Sequence, residues 1–419
     1  MSNTSFNVNK AVLPNGLKLI HSFDGTVAMS AVNILYNVGT RDEKRRLTGM
    51  AHLFEHLMFG GSVNVVDFDK ALSAAGGVSN AWTNSDFTNF YETLPAQNVE
   101  TAFYLESDRM LGLAFSEQSL ELQRGVVIEE FKQTCLDVPY GDCFHRLRRL
   151  IYSPEHPYSW PTIGLEPEHI AKVTMEDVKD WFYSHYAPNN AILSVSGNVS
   201  FETALRLTEK WFGDIPAREI KERTLPSPGF PAKRMVENAD SEVPVPMQFI
   251  AVPMSEYGTK RYFAADAITD LLSAGRSSRF NSNVLYGAGK GLIVNCDASI
   301  IGSEHEGILL ITARLGDDSP SAFSESADIL LNTAKELAAP DSILPTELER
   351  CFNTFESNFR FSNNSYMSRA QNLALCEYHQ ESINEVVSER RRLTAEDIAC
   401  EADILFNHTS PVILNYGLK

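Results

Sequence analysis

The sequence predicts an α+β protein built as two homologous halves. The chain has 419 residues, too long for one ordinary core and suited to two to four domains. Strand and helix patterns in the first half recur at similar size in the second, the mark of an internal duplication. Between them, 221–246 changes character: Pro226, Pro228, Pro231, Pro244 and Pro246 stand among charges, which reads as a linker. The expected organisation is a domain over 1–220, a linker over 221–246 and a second domain over 247–419.

The elements follow from hydrophobic period. Residues 11–38 read as two strands, carried by Leu17 and Leu19 and then by Ala31, Val32, Ile34, Leu35 and Tyr36, with Pro14-Asn15-Gly16 as a turn. Helices are expected over 47–59 and 66–75, the second closed by Gly76-Gly77. Residues 78–94 are extended and rich in Thr, Phe, Tyr and Trp. Helical patterns over 97–113, 117–134 and 174–185, a strand over 191–196 and a helix over 201–212 complete the first half. The second half repeats the theme with a strand at 247–253, a helix at 261–274, strands near 291–299 and 307–315, a helix at 321–338, two further helices and a last strand near 411–416. The helix at 261–274 is the counterpart of 47–59 and holds no His, so metal chemistry is expected in the first half alone.

Composition narrows the function classes. A hydrophobic fraction of 43% and a charged fraction of 21% are ordinary for a globular protein. A net charge of −18 argues against nucleic acid and anionic membranes as partners. Cationic substrates suit that charge, although acidic solubility is the plainer use of it. Cys135, Cys143, Cys296, Cys351, Cys376 and Cys400 are scattered and form no Cys-x-x-Cys pair, which points to a reducing compartment. Met1 to Lys10 is polar, without the apolar core of a signal peptide. The expected location is the cytoplasm, or the periplasm if a leader has been removed. No apolar run reaches the roughly 18 residues that span a bilayer.

The chemistry concentrates in His52-Leu53-Phe54-Glu55-His56. On a helix each residue turns by about 100°. With His52 at zero, His56 falls near 40° and Glu55 near 300°, whereas Leu47, Met50, Leu53, Phe54, Leu57 and Met58 fall on the opposite side. The helix can bury one face and present three polar groups on the other. Two imidazoles at i and i+4 suit two ligands of one tetrahedral zinc. A glutamate on the same face is placed as general base toward a water that zinc acidifies to a pKa of about 7. Glu55 precedes the second His, the inverzincin order. A catalytic zinc takes a third protein ligand and keeps one open position. Glu129 and Glu130, on the helical stretch Leu122 to Lys132, are the leading candidates; the isolated His145, His156, His169 and His185 are weaker ones.

The chain resembles the pitrilysin and insulinase family, which includes the mitochondrial processing peptidases. The resemblance covers most of the chain and is strongest over 11–215. It rests on Gly39-Thr40-Arg41-Asp42-Glu43, on Gly49-Met50-Ala51-His52 through Phe59-Gly60-Gly61-Ser62, and on Gly76-Gly77 with Asn80-Ala81-Trp82-Thr83, Asp86, Thr88, Tyr91 and Pro95. Glu106-Ser107-Asp108-Arg109-Met110, His156-Pro157-Tyr158, Ile163-Gly164 and Trp211-Phe212-Gly213-Asp214-Ile215-Pro216 add to it. The family carries its third ligand on a helix matched here by Arg124-Gly125-Val126-Val127-Ile128-Glu129-Glu130, which implies Glu130. Many relatives have a second glutamate where this chain has Gln123. The resemblance implies two halves enclosing a cleft, with Asn80 and Ala81 on an edge strand that takes up a peptide by main-chain pairing. It also implies an Arg and a Tyr in the second half that grip substrate. Gly287 and Val294 stand at those positions, and the nearby Arg279 does not match that Arg.

These readings together describe a zinc-dependent endopeptidase acting on peptides or unfolded segments. His52, His56 and Glu130 hold Zn²⁺, and Glu55 is the base. The partner implied is a homologous chain supplying the missing Arg and Tyr, with a homodimer as alternative. The rival reading is a catalytically silent structural or peptide-binding subunit.

Overall fold

The computed structural model describes residues 5–240 and 243–418; residues 241 and 242, inside the stretch read as a linker, lie outside the described residues. In chain order, β1 (Val8–Val12), β2 (Lys18–Phe23) and β3 (Met29–Tyr36) precede α1 (Met50–Leu57) and α2 (Phe68–Ala74). The hairpin of β4 (Val78–Thr83) and β5 (Thr88–Pro95) comes next. It is followed by α3 (Glu100–Leu111), α4 (Glu117–Phe131), α5 (Cys143–Ile151), α6 (Pro167–Ala171), α7 (Met175–His185), β6 (Ala191–Gly197) and α8 (Phe201–Phe212). The second series runs β7 (Met235–Ala239), β8 (Met247–Met254), α9 (Lys260–Ser273), β9 (Ile293–Ile301), β10 (Gly307–Leu315), α10 (Pro320–Lys335), α11 (Pro345–Asn364), α12 (Tyr366–Tyr378), α13 (Val386–Arg390), α14 (Ala395–Asp403) and β11 (Val412–Tyr416).

The chain divides into two compact units. The first takes the chain up to Glu130 together with 162–225 and 358–386. Its sheet runs β1-β2-β6-β3-β5-β4, antiparallel except where β2 meets β6. β3 and β6 are buried along nearly their whole length, as a strand covered on both faces must be. Val32, Ile34 and Tyr36 join one apolar cluster with Leu53, Phe54 and Leu57 of α1, Phe103 of α3, Phe182 of α7 and Phe212 of α8. Ile20, Leu35 and Ile192 join another with Leu373, Ala374 and Cys376 of α12. β4 lies at the outer edge of this sheet.

The second unit has a sheet ordered β7-β11-β8-β10-β9, antiparallel except where β7 meets β11. One face carries α9, α10 and α14; the other carries Cys143, Leu147 and Ile151 of α5 against Ala251, Leu310, Val412 and Leu414. Set beside β2-β6-β3-β5-β4 of the first unit, the order is the same, and the parallel pair falls in the same place. α9 joins β8 to β9 as α1 joins β3 to β4, so the duplication is written into the topology.

Two details differ from the sequence reading. The stretch 221–246 is not all linker: it contains β7, the counterpart of β2, paired in parallel with β11. The compact units are also discontinuous, whereas the domains expected over 1–220 and 247–419 are continuous. α5 packs on the second sheet and α12 on the first. Each helix bears an apolar stripe, and the sheet face able to bury it is built from the other stretch of chain.

Candidate active site

α1 begins at Gly49, whose φ of 86° is left-handed. A side chain there would be strained, and its Cβ would meet the Ile163 carbonyl oxygen at 2.7 Å. The buried Glu43 carboxylate accepts from the N–H groups of Gly49 at 3.0 Å and Ala51 at 2.8 Å, which satisfies donors left over at a helix start. Met50, Leu53, Phe54 and Leu57 are buried beneath the helix, with the Phe54 ring 4.4 Å from that of Tyr186. Anchored on that side, α1 presents His52, Glu55 and His56, each partly exposed, on the other.

The two imidazoles stand 4.9 Å apart between centroids, at 88° to each other. Both turn Nε2 toward Oε2 of Glu130 on α4, at 3.8 Å from His52 and 3.6 Å from His56. One ligand atom from each residue lies within 4.8 Å of the others. Zinc bonds of about 2.0–2.2 Å place tetrahedral ligand atoms roughly 3.3–3.6 Å apart, so each imidazole stands within a few tenths of an ångström of the separation from Glu130 that a zinc site needs. The donor set also fits: two imidazoles and a carboxylate leave one position open. His52 Nδ1 is buried without a hydrogen-bond partner among the described residues. Glu129 is exposed and does not belong to the group.

The electrostatics agree with the geometry. Burial pushes the pKa of His52 down to about 4, keeping its ring neutral and able to ligate at neutral pH. His56 is raised, chiefly by its hydrogen bond to Glu130, with a smaller contribution from the Gln123 side chain. Glu130 is lowered, first by His56. Glu55 is raised, mainly by burial, the direction that moves a carboxylate general base toward neutral pH.

Asn80 and Ala81 lie on β4, the open edge of the sheet. Alternation divides the strand: Ala81 packs toward the apolar cluster that includes α1, and Trp82 toward the cluster on the opposite face. The Ala81 N–H donates to its neighbour Asn80 Oδ1 at 2.8 Å. Thr83, last in the strand, is on the α1 face, and its hydroxyl donates to Glu55 Oε2 at 2.5 Å. The sequence reading names Thr83 only as part of a signature. Period-2 alternation marks its face, but nothing in the sequence measures its reach to Glu55.

The isolated histidines have other employment. His156 Nδ1 accepts from the Tyr158 N–H, His169 Nδ1 meets the Thr48 hydroxyl and His185 Nδ1 meets the Trp181 carbonyl. The His145 ring packs on Phe131. In the second unit, Gly287 has non-helical dihedrals within the helical segment Phe280–Ala288, and Val294 is an exposed residue of β9. Arg279 is buried and holds the Ser342 carbonyl and the Glu347 carboxylate.

Comparison with known proteins bears on the whole chain. The family model described as Insulinase (Peptidase family M16) matches residues 20–136, the span containing His52, Glu55, His56 and Glu130. The model described as Peptidase M16 inactive domain matches 172–354. The zinc protease PqqE of Helicobacter pylori is 30% identical over 284 residues, 65% of this chain and 62% of that protein. The chain thus spans less than two thirds of that relative's length. The uncharacterized zinc protease YmxG of Bacillus subtilis is 25% identical over 405 residues, covering 95% of this chain and 96% of its own. A crystal structure of a protease from Helicobacter pylori superposes with a TM-score of 0.86 at 25% identity, over 99% of this chain and 100% of that one. Two models of one family span more than two thirds of the sequence, both relatives are named zinc proteases, one of them matching over nearly its whole length, and the chain belongs to the pitrilysin and insulinase family, peptidase family M16.

Proposed function

We propose that this chain is a zinc-dependent endopeptidase that hydrolyses peptides or unfolded polypeptide segments. The observation that carries the reading is the convergence of His52, His56 and Glu130 within 4.8 Å, with Glu55 on the same helix face and an open sheet edge beside it. His52 and His56 would hold the metal through Nε2, and Glu130 through its carboxylate. Bound there, zinc supplies a Lewis acid for the scissile carbonyl and acidifies a water. Glu55 takes the proton from the attacking water and returns it to the departing amine. A peptide laid along β4 pairs with its edge main-chain groups, displacing Asn80 Oδ1 from the Ala81 N–H, so binding is set more by backbone than by side chain.

The test separates ligand from base. Wild-type protein is expected to bind about one zinc per chain. Glu55→Gln is expected to retain the metal and lose hydrolysis by a factor of about 10²–10⁴, because an amide does not accept the proton. Metal content is read by elemental analysis and hydrolysis with an unstructured fluorogenic peptide. Near-normal hydrolysis by Glu55→Gln, or no zinc on the loaded wild type, would overturn the assignment.

A further inference from the structure

We propose that Thr83 is the positioning residue for Glu55, so that the strand offered to substrate also aims the general base. This rests on the peptidase reading above. A glutamate side chain has three torsions, the last broad. Burial of Leu53, Phe54 and Leu57 on the opposite face of α1 anchors the backbone from which Glu55 projects. The carboxylate itself is fixed by its hydrogen bond from Thr83 at 2.5 Å. Thr83 is well suited to this: as a β-branched residue on a strand it has a stiff χ1, and its hydroxyl donates while its backbone stays in register opposite Thr88. With Oε2 engaged, Oε1 is left for the proton that Glu55 must move. Thr83 lies three residues along the same strand from Asn80. A peptide pairing with that edge is therefore referenced to the strand that orients the base, and one element sets both the substrate's register and the direction of proton transfer.

Two measurements test this, one independent of hydrolysis. Thr83→Val keeps the branched shape and strand preference but removes the hydroxyl. It is expected to lower kcat by about 10–100-fold, the scale of a misdirected catalytic group, with KM and zinc content close to wild type. Thr83→Ser is expected to stay within about threefold, since it keeps the donor. In a Glu55→Ala background, Thr83→Val is expected to cost nothing further in the residual rate. In zinc-free protein, the shifts in urea midpoint caused by Thr83→Val and Glu55→Ala are expected to be non-additive, because both delete one hydrogen bond. Additive midpoint shifts, or equal kcat losses from Thr83→Val with and without Glu55, would overturn the positioning role. Coupled midpoints in the zinc-free variants, together with a zinc-loaded wild type that hydrolyses nothing, would sustain the contact and refute the peptidase reading instead.

Discussion

Glu129 and Glu130 are one helical step apart, about 100° around α4, and that step separates a solvent-facing carboxylate from one aimed at two imidazoles. Glu130→Gln is expected to weaken zinc binding strongly, whereas Glu129→Gln leaves it near wild type; isothermal titration with zinc reads both. The reverse outcome would move the third ligand by one residue. Gln123 is a second determinant. Its side chain neighbours His56 and adds slightly to the rise of that ring's pKa, and a partner hydrogen-bonded to a ligating imidazole orients it. Gln123→Leu is expected to cost about 10–100-fold in zinc affinity, the usual scale for such a partner. Unchanged affinity would show that the amide does not orient the ring. His52, Glu55 and His56 were legible in the sequence because one helix carries all three and periodicity alone puts them on one face. For Glu130 the helical pattern narrows the choice only to a pair, and the resemblance implies which, since distances between elements are not written in a motif. Thr83 escaped for the same reason.

At the scale of elements, the buried strands and amphipathic helices were readable, and the short edge strands were not. β3, β6, β8 and β10 are apolar runs that only a sheet interior explains. β7, in contrast, is Met-Val-Glu-Asn-Ala at the sheet edge, with Met235 and Val236 exposed; set among prolines, it gives no periodic signal. β1 is a five-residue edge strand with only partial burial and was missed likewise. The α5 helix shows its stripe plainly in Cys143, Leu147 and Ile151, but a stripe does not say which sheet will cover it. The turn after α5 carries a pH-sensitive contact. His156 is buried, stacks on Tyr152 at 5.3 Å and accepts the Tyr158 N–H through Nδ1. Burial first, and then the neighbouring His305, push its pKa down to about 4. The folded state therefore keeps this ring neutral where an unfolded one, near 6.5, takes up a proton. Its contribution is fully present above pH 6.5 and is lost as pH falls toward 4, with a slope of at most about 1.4 kcal/mol per pH unit. Urea unfolding of wild type and His156→Gln across that window checks it: the variant should show a shallower decline, and parallel curves would reject the contact as a pH-dependent element.

At the scale of the molecule, the duplication is asymmetric in chemistry. The first unit gathers the candidate ligands and base. The second repeats the sheet order, but α9, the counterpart of α1, carries no His, and the matching family model is described as an inactive domain. The resemblance calls for an Arg and a Tyr in that second half to hold the substrate, and Gly287 and Val294 can supply neither a cation nor a phenol. Arg279, nearest in sequence, is committed to Ser342 and Glu347. A peptide bound only along β4 must recover its ordering cost from main-chain pairing alone. It would also lack a donor for charge developing on the carbonyl oxygen, a contribution worth about 10²–10³ in kcat when one such donor is removed elsewhere. We therefore expect the chain to work as the catalytic subunit of a heterodimer, with a homologous partner contributing the Arg and Tyr. Purified alone, it should bind zinc but hydrolyse an unstructured peptide slowly; adding a homologous chain that carries the Arg and Tyr but lacks the zinc motif should raise kcat by at least about tenfold, with the two chains co-eluting on sizing. Arg→Ala in that partner should abolish the stimulation while leaving association intact. Full activity from this chain alone, with sizing by light scattering showing a monomer or homodimer, would defeat the heterodimer and leave the search for substrate grip to residues of this sequence.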